Sequence, residues 1–390
     1  MAAKKRTRKN TAESDPNFPK AQRVDRSFDA YVKAAGDVKG WGAAAEVLDR
    51  VDSVRTVFPD FNRAVGVGGL PVRRIHTVHG ASAGGKSVFG LGLVKSFVDM
   101  GFLAAYVDAE HTLGKEFTSE IVRDLQSKPN FLVQRPSCYE DTIDAVDAFL
   151  ARATAVSREY PEHRSLIVID TINKLVPKRE LSNVVRDGGS EVAKGHHGRY
   201  RASLNQAWLD QLTPKIAASN CAFVVIAQER DDTDTADFLR SSGDAFKIKG
   251  GRSLVYDASL VIRVGKAQAI YRDGKKPDSK SNDAIVGFGH RVRIWKSKVG
   301  HMDGRHTDCI FHLSNGRLTP AGLDHARDVL AVGLKLDLVA LAGSWYTVGG
   351  KRFQGFKNAV LGMHTHPELL ADLERQIADK IDEKDGRVCV

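Results

Sequence analysis

The chain has 390 residues, 42% of them hydrophobic, enough to bury a large core and leave residues over for small flanking domains. Its longest apolar runs, such as Leu166 to Ile169, are strand-length, which excludes a bilayer-spanning helix of roughly 20 residues, and the scattered Cys138, Cys221, Cys309 and Cys389 form no CxxC pair for a zinc knuckle or disulfide framework. A formal net charge of +10 favours a polyanionic partner, nucleic acid ahead of a membrane surface, because each Lys or Arg placed on a phosphate releases condensed counterions.

Residues 1–23 are polar and basic, with Lys4, Lys5, Arg6, Arg8 and Lys9, and predict a flexible solvated arm. No apolar segment follows those charges, so export is not expected and a reducing cytoplasm fits the cysteines. From Phe28 to about Leu48, apolar residues recur at helical spacing (Phe28, Tyr31, Val32, Ala35) and are interrupted by Gly36 and Gly40-Trp41-Gly42. That pattern predicts a small helical module over 24–60. From Arg74 onward, short β-branched runs alternate with helical stretches, the pattern of an α/β fold with a mostly parallel central sheet and helices on its faces.

Strands are expected at 75–79, 103–107, 166–169, 222–227, 259–264, 291–295 and 309–313, and a helix over 86–100 that stops at Gly101. These elements define a core over 61–328. Two long, polar, glycine-containing stretches interrupt it at about 178–198 and 229–251, and loops of that length inside a compact domain are usually functional. Trp208, at helical spacing with Leu204 and Leu212, reads as core packing. After about Leu330, a helical segment, Trp345-Tyr346 and a Gly-rich turn predict a small α+β C-terminal domain over 329–390.

Gly80-Ala81-Ser82-Ala83-Gly84-Gly85-Lys86-Ser87 fits the phosphate-binding pattern GxxxxGK[ST] in full, after a strand and at a helix start. Glycines let the backbone curl so that successive N–H groups face phosphate oxygens, and the helix N-terminus adds partial positive charge. Lys86 is expected to bridge the terminal phosphates of ATP and the Ser87 hydroxyl to complete a Mg²⁺ shell. The apolar strand that ends at Asp170 is expected to place a carboxylate that holds the Mg²⁺, directly or through water, at the ligand-binding edge of the sheet. Of the carboxylates that follow Tyr106-Val107, Glu110 is the candidate for orienting the attacking water, and Asp108 is the more natural cap for the next turn. His196-His197 and His364-Thr365-His366 lack the partners of a zinc site.

Gly68-Gly69-Leu70-Pro71, the phosphate loop, Asp108-Ala109-Glu110-His111, Asp170-Thr171, Pro177-Lys178, Gln228, Gly250-Gly251, Lys296-Ser297-Lys298 and Gly343-Ser344-Trp345-Tyr346 follow one another in an order that resembles the bacterial RecA recombinases. The resemblance runs from roughly Arg50 to Ile377 and implies a RecA-like P-loop ATPase core. It implies that Glu110 activates water and that Phe117 takes the place of an adenine-stacking tyrosine. Gln228 resembles the family's γ-phosphate sensor, which passes its signal to the following loop. Lys296 and Lys298, two apart and so on one face of a strand, resemble a pair that reaches across a subunit boundary to the neighbour's ATP.

The two long segments match the family's DNA-binding loops in position. The first and the helix after it carry Lys178, Arg179, Arg186, Lys194, Arg199, Tyr200 and Arg201; the second carries Arg230, Phe238, Arg240, Lys247 and Lys249 and closes on Gly250 and Gly251. Glu229, Asp231, Asp232 and Asp234 make the opening of the second unusually acidic, and Ala202 and Leu209 stand near positions that are usually basic. Lys351, Arg352 and Lys357 resemble a duplex-capturing C-terminal domain, whose usual acidic tail is reduced here to Asp382, Glu383 and Asp385. Taken together, the resemblance implies an ATP- and Mg²⁺-dependent recombinase that forms a head-to-tail filament on single-stranded DNA and exchanges strands with duplex DNA. A hexameric helicase or a recombination-mediator ATPase on the same core are the competing readings. The setting is cytoplasmic, in a bacterium or a bacterial host infected by a phage.

Overall fold

A computed structural model of the chain describes residues 50–181, 197–231, 246–272, 274, 276, 284–299 and 307–384. The basic arm, most of the 24–60 module, Arg186, Lys194, Phe238 and Arg240 lie outside the described residues. The chain divides into two compact units, Met1–Arg50 and Val51–Val390, and the fold below is that of the second.

Strand β1 (Ser53–Val54) and helix α1 (Pro59–Val65) lead through β2 (Leu70–Pro71) into β3 (Arg74–Gly80), which ends on the phosphate loop. There follow α2 (Lys86–Asp99), β4 (Leu103–Asp108), α3 (Lys115–Val122), β5 (Phe131–Gln134), α4 (Tyr139–Glu159) and β6 (Ser165–Asp170). The core continues with α5 (His197–Ala217), β7 (Cys221–Asp231), β8 (Phe246–Ile248), α6 (Ser253–Tyr256), β9 (Leu260–Tyr271), β10 (Ile285–Ser297), β11 (Thr307–Ser314) and β12 (Gly322–Leu323). Helix α7 (His325–Lys335), strands β13 (Ala340–Ala342), β14 (Trp345–Val348) and β15 (Lys351–Gln354), and helices α8 (Phe356–Thr365) and α9 (Pro367–Lys384) follow.

The main sheet has the order β12-β11-β10-β9-β3-β7-β6-β4-β5. From β9 to β5 neighbouring strands run parallel, and β10 to β12 extend the sheet antiparallel. Side chains of a strand alternate between faces, and both faces here are covered. Leu166, Val168, Ala222, Val224 and Ile226 pack with α1, α2 and α3. Ile167, Ile169, Phe223, Val225 and Ala227 pack with α4 and α5. That double burial explains why β6 reads as an unbroken apolar run, with every residue buried. Helix α2 approaches the sheet so closely that a Cβ on Gly90 would lie 3.0 Å from Ile226 Cδ1.

All seven expected strands form, several longer than expected. β5 was missed: with two of its four residues exposed at the sheet edge, it lacks the apolar run that marked the others. Residues 51–60, expected in the N-terminal module, instead join the core, where Phe58 stacks on Phe89 with ring centroids 4.8 Å apart. Trp345 and Tyr346 lie on β14 of a three-stranded antiparallel sheet, which with α7, α8 and α9 forms a third apolar cluster. No helix among the described residues is long and apolar enough to cross a membrane.

Candidate active site

Strand parity builds the site. Asp108, Asp170 and Gln228 all fall on the α2 face of β4, β6 and β7, and the parallel register pairs Asp108 with Asp170 and Gly80 with Gln228. Glu110, two residues past β4, completes the edge. A cavity of about 350 Å³ is lined there by the loop from Ser82 to Ser87 with Glu110, Phe117, Asp170, Thr171, Gln228, His290 and Leu313. The expected nucleotide residues therefore meet in one place, with Gly80 and Ala81 leading into the loop.

Lys86 is buried, and its Nζ donates to Ala81 O at 2.8 Å. Burial lowers its pKa, opposed by the charges of Asp170, Glu229 and Glu110, so the ammonium is balanced against three carboxylates. The Tyr106 hydroxyl donates to Asp170 Oδ2 at 2.5 Å, and Ser87 also bonds that carboxylate. Burial raises the pKa of Asp170 against those two bonds. A buried carboxylate beside a hydroxyl, both hard oxygen donors, suits Mg²⁺. Glu110 Oε1 accepts from Thr171 Oγ1 and from Gln228 Nε2, each at 3.3 Å. Asp108 accepts the N–H groups of Thr112 and Leu113 and pairs with Arg135, so it caps the turn before α3.

Gln228 is interior to β7, not at its end, because Glu229, Arg230 and Asp231 go on to pair with Ile248, Lys247 and Phe246 of β8. The second loop thus begins and ends as a hairpin. The Gln228 N–H is held by Asn173 Oδ1 at 2.8 Å, and its side-chain Oε1 accepts from Lys249 Nζ at 3.3 Å. One amide therefore touches the candidate water-activating carboxylate at one end and the hairpin at the other.

Glu229, expected to add negative charge to the loop, is instead consumed. Arg263 holds it at 3.0 Å and His79 Nδ1 lies 3.2 Å away. Burial pushes its carboxyl up, but the bonds from His79 and Arg263 outweigh that and bring it down to about 2. Burial lowers the pKa of His79 against the raising effect of Glu229, and Arg263 supplies a permanent counter-charge to the carboxylate.

The remaining candidates are more dispersed. Lys296 and Lys298 lie side by side, as their spacing requires, and both ammonium groups donate to Tyr256 O. Burial and the neighbouring Lys298 lower the Lys296 pKa. Arg199 lies on α5 and Arg230 on β7. Arg201 is paired with the buried Glu180 at 2.6 Å. Lys247 and Lys249 are exposed on the hairpin, and Asn205 Nδ2 donates to Gly250 O at 2.7 Å beside Gly251. In the C-terminal domain Arg352 lies over the Trp345 ring at 4.9 Å, Lys351 is 3.6 Å from Glu368, and Lys357 is half-buried on α8.

Sequence reasoning missed Tyr106, Thr171, Asn173, His79, Arg263 and His290. Parity on β4 could have found Tyr106, two residues before Asp108 on the same face. Nothing local marks His290, which reaches the loop from 206 positions away.

The RecA N-terminal domain model matches residues 33–311 and the RecA C-terminal domain model residues 327–382, somewhat beyond the expected Arg50 to Ile377 at both ends. Among curated relatives, Protein RecA of Methylococcus capsulatus is 29% identical over 346 residues, covering 88% of each chain. Protein RecA of Clostridium beijerinckii is 26% identical over 85% of this chain and 81% of its own. Protein RecA of Staphylococcus carnosus is 26% identical over 93% and 92% respectively. With both domain models matched in order across a phosphate-loop sheet of this architecture, the chain belongs to the RecA family of recombinases.

Proposed function

We propose that the protein is a Mg²⁺-dependent, DNA-dependent ATPase that assembles head to tail on single-stranded DNA and exchanges its strand with a homologous duplex. The observation that carries this reading is the position of Gln228, bonded to Glu110 on one side and to Lys249 of the hairpin on the other. A group so placed transmits the state of the γ-phosphate to the loop that would hold DNA, an ordered-loop switch.

In the proposed cycle the loop amides and Lys86 hold the ATP phosphates, and Phe117 packs on the base. Ser87 and Asp170 would hold Mg²⁺, which would supply positive charge against the phosphates. Glu110 orients a water for in-line attack on the γ-phosphorus; the bond to ADP breaks and phosphate leaves. Lys296 and Lys298 of a neighbouring copy reach the γ-phosphoryl, so hydrolysis weakens the seam between subunits. Arg199, Arg201, Arg230, Lys247, Lys249, Gly250 and Gly251 line the strand's path, and Lys351, Arg352 and Lys357 take the duplex.

ATPase turnover with and without single-stranded DNA, paired with electron microscopy, tests the reading. The expected result is DNA-stimulated hydrolysis and open helical filaments with ATP. Closed six-membered rings would favour a motor, and filaments inactive in strand exchange a mediator. ATP-indifferent coating of DNA would remove the proposal.

A further inference from the structure

His290 takes no part in the cycle above, yet it is buried beneath the phosphate loop. Its Nδ1 lies 3.1 Å from Gly84 O. Its ring stacks on Phe311 with centroids 4.8 Å apart and an 8° interplanar angle. Phe311 in turn packs against Phe58 and Phe89, the latter in the first turn of α2. The imidazole is thus wedged between the loop and an aromatic cluster of the core. The fit is close enough that a Cβ on Gly85, which has φ +94°, would come within 2.5 Å of Nδ1.

Burial holds this imidazole below the usual histidine range and His312 adds to the effect, against the raising effect of its bonds to the Gly84 and Gly265 backbone. A carbonyl oxygen only accepts, so the Gly84 contact assigns the hydrogen to Nδ1 and makes His290 the donor. The consequence for the loop follows from peptide planarity. In a trans peptide the C=O of one residue and the N–H of the next point in opposite directions. A Gly84 carbonyl held against His290 therefore turns the Gly85 N–H the other way, at the N-cap of α2.

We infer that His290 is a positioning residue for nucleotide binding, which fixes the Gly84–Gly85 peptide so that the Gly85 N–H is presented to the phosphates of the bound nucleotide. The inference rests on the nucleotide reading of this cavity and adds to it a residue that acts through the loop without touching the reacting atoms. It separates the phosphate part of affinity from the base part: the Gly84–Gly85 peptide serves the first, while Phe117 lines the same cavity on behalf of the second.

The test uses the full chain and two donor-free variants, His290→Phe, which keeps a ring against Phe311, and His290→Met, in case the first fails to fold. His290→Gln restores an amide donor. Affinities for Mg-ADP and for adenosine are measured by competition against a fluorescent ADP. Loss of one hydrogen bond in this setting is expected to weaken Mg-ADP about tenfold, with adenosine unchanged and most of the loss recovered by Gln. In the ATPase assay KM should rise while kcat stays within about twofold. Equal Mg-ADP affinity in folded donor-free variants, or a parallel loss for adenosine, would overturn the inference. Absence of Mg-ADP binding by the unsubstituted protein would overturn the nucleotide reading itself, and this inference with it.

Discussion

Lys86 and Glu110 sit in one cavity but serve different steps of the proposed cycle, so their substitutions should separate. Removing the buried ammonium takes away a positive charge that Asp170, Glu229 and Glu110 hold in place and, in the proposed cycle, the contact to the terminal phosphates. Lys86→Ala is expected to lower ATP-dependent DNA binding by about a hundredfold, with an unchanged circular dichroism spectrum. Glu110→Gln keeps the shape of the site and loses the carboxylate that accepts from Thr171 and Gln228. It should bind ATP normally, hydrolyse it about 10²- to 10⁴-fold more slowly, and leave complexes on single-stranded DNA that persist in a dissociation assay. Rapid turnover by that variant would take Glu110 out of its role. Both residues were legible in the sequence, because a glycine-rich loop and a carboxylate at a strand's carboxyl end are local patterns. Tyr106 and Thr171, which hold the neighbouring carboxylates, were not, since their importance depends on which strands become neighbours.

The β7–β8 hairpin shows the same division one level up. Its existence as a long insertion was visible in composition, but the pairing of Glu229–Asp231 with Phe246–Ile248 was not, because the acidic run reads as a solvated loop. What turns Glu229 inward is Arg263 from β9 and His79 from β3, partners 34 and 150 positions away. A buried carboxylate that loses the guanidinium bonded to it is costly, and Arg263→Met is expected to destabilise the fold by about 3 kcal/mol in urea unfolding. The pH dependence has a defined sign. Glu229 has its pKa depressed from 4.5 to about 2, so its contribution is complete above pH 4.5 and is lost as pH falls toward 2. In Arg263→Met that acid-side loss should shrink; an unchanged profile would show that the triad contributes nothing. On the opposite face, Trp208 meets Tyr139 and Phe223 edge-on at 5.5 and 6.0 Å, so its reading as core packing agrees with its burial. Trp208→Ala should cost about 3 to 5 kcal/mol, a loss of stability without a specific loss of DNA binding.

Across the whole molecule, the C-terminal domain is joined to the core through polar contacts of α7 and α9. Lys335 reaches the buried Asp60 of α1, Arg55 pairs with Asp382 at 3.0 Å, and His325 bridges Val57 O and Glu374. This seam could not be read from the sequence, since its contacts join residues 49 to 327 positions apart. His325 makes the seam pH-sensitive. Burial lowers its pKa, but Glu374, then Asp328 and the Val57 carbonyl, raise it further and leave the net shift upward. A histidine raised in the folded state contributes fully below its ordinary value of 6.5, and that contribution fades as pH rises through the higher folded value. The side chain is 37% exposed, so solvent screens part of the effect and the change should be modest. Hydrogen exchange in α9, corrected for intrinsic rates, is therefore expected to quicken as pH rises above about 6.5. His325→Gln keeps a donor toward Glu374 and cannot titrate, so in that variant the pH dependence should flatten. If α9 responds to pH equally in both proteins, the seam is held by Lys335, Arg55 and apolar packing alone, and His325 is no more than one of its spacers.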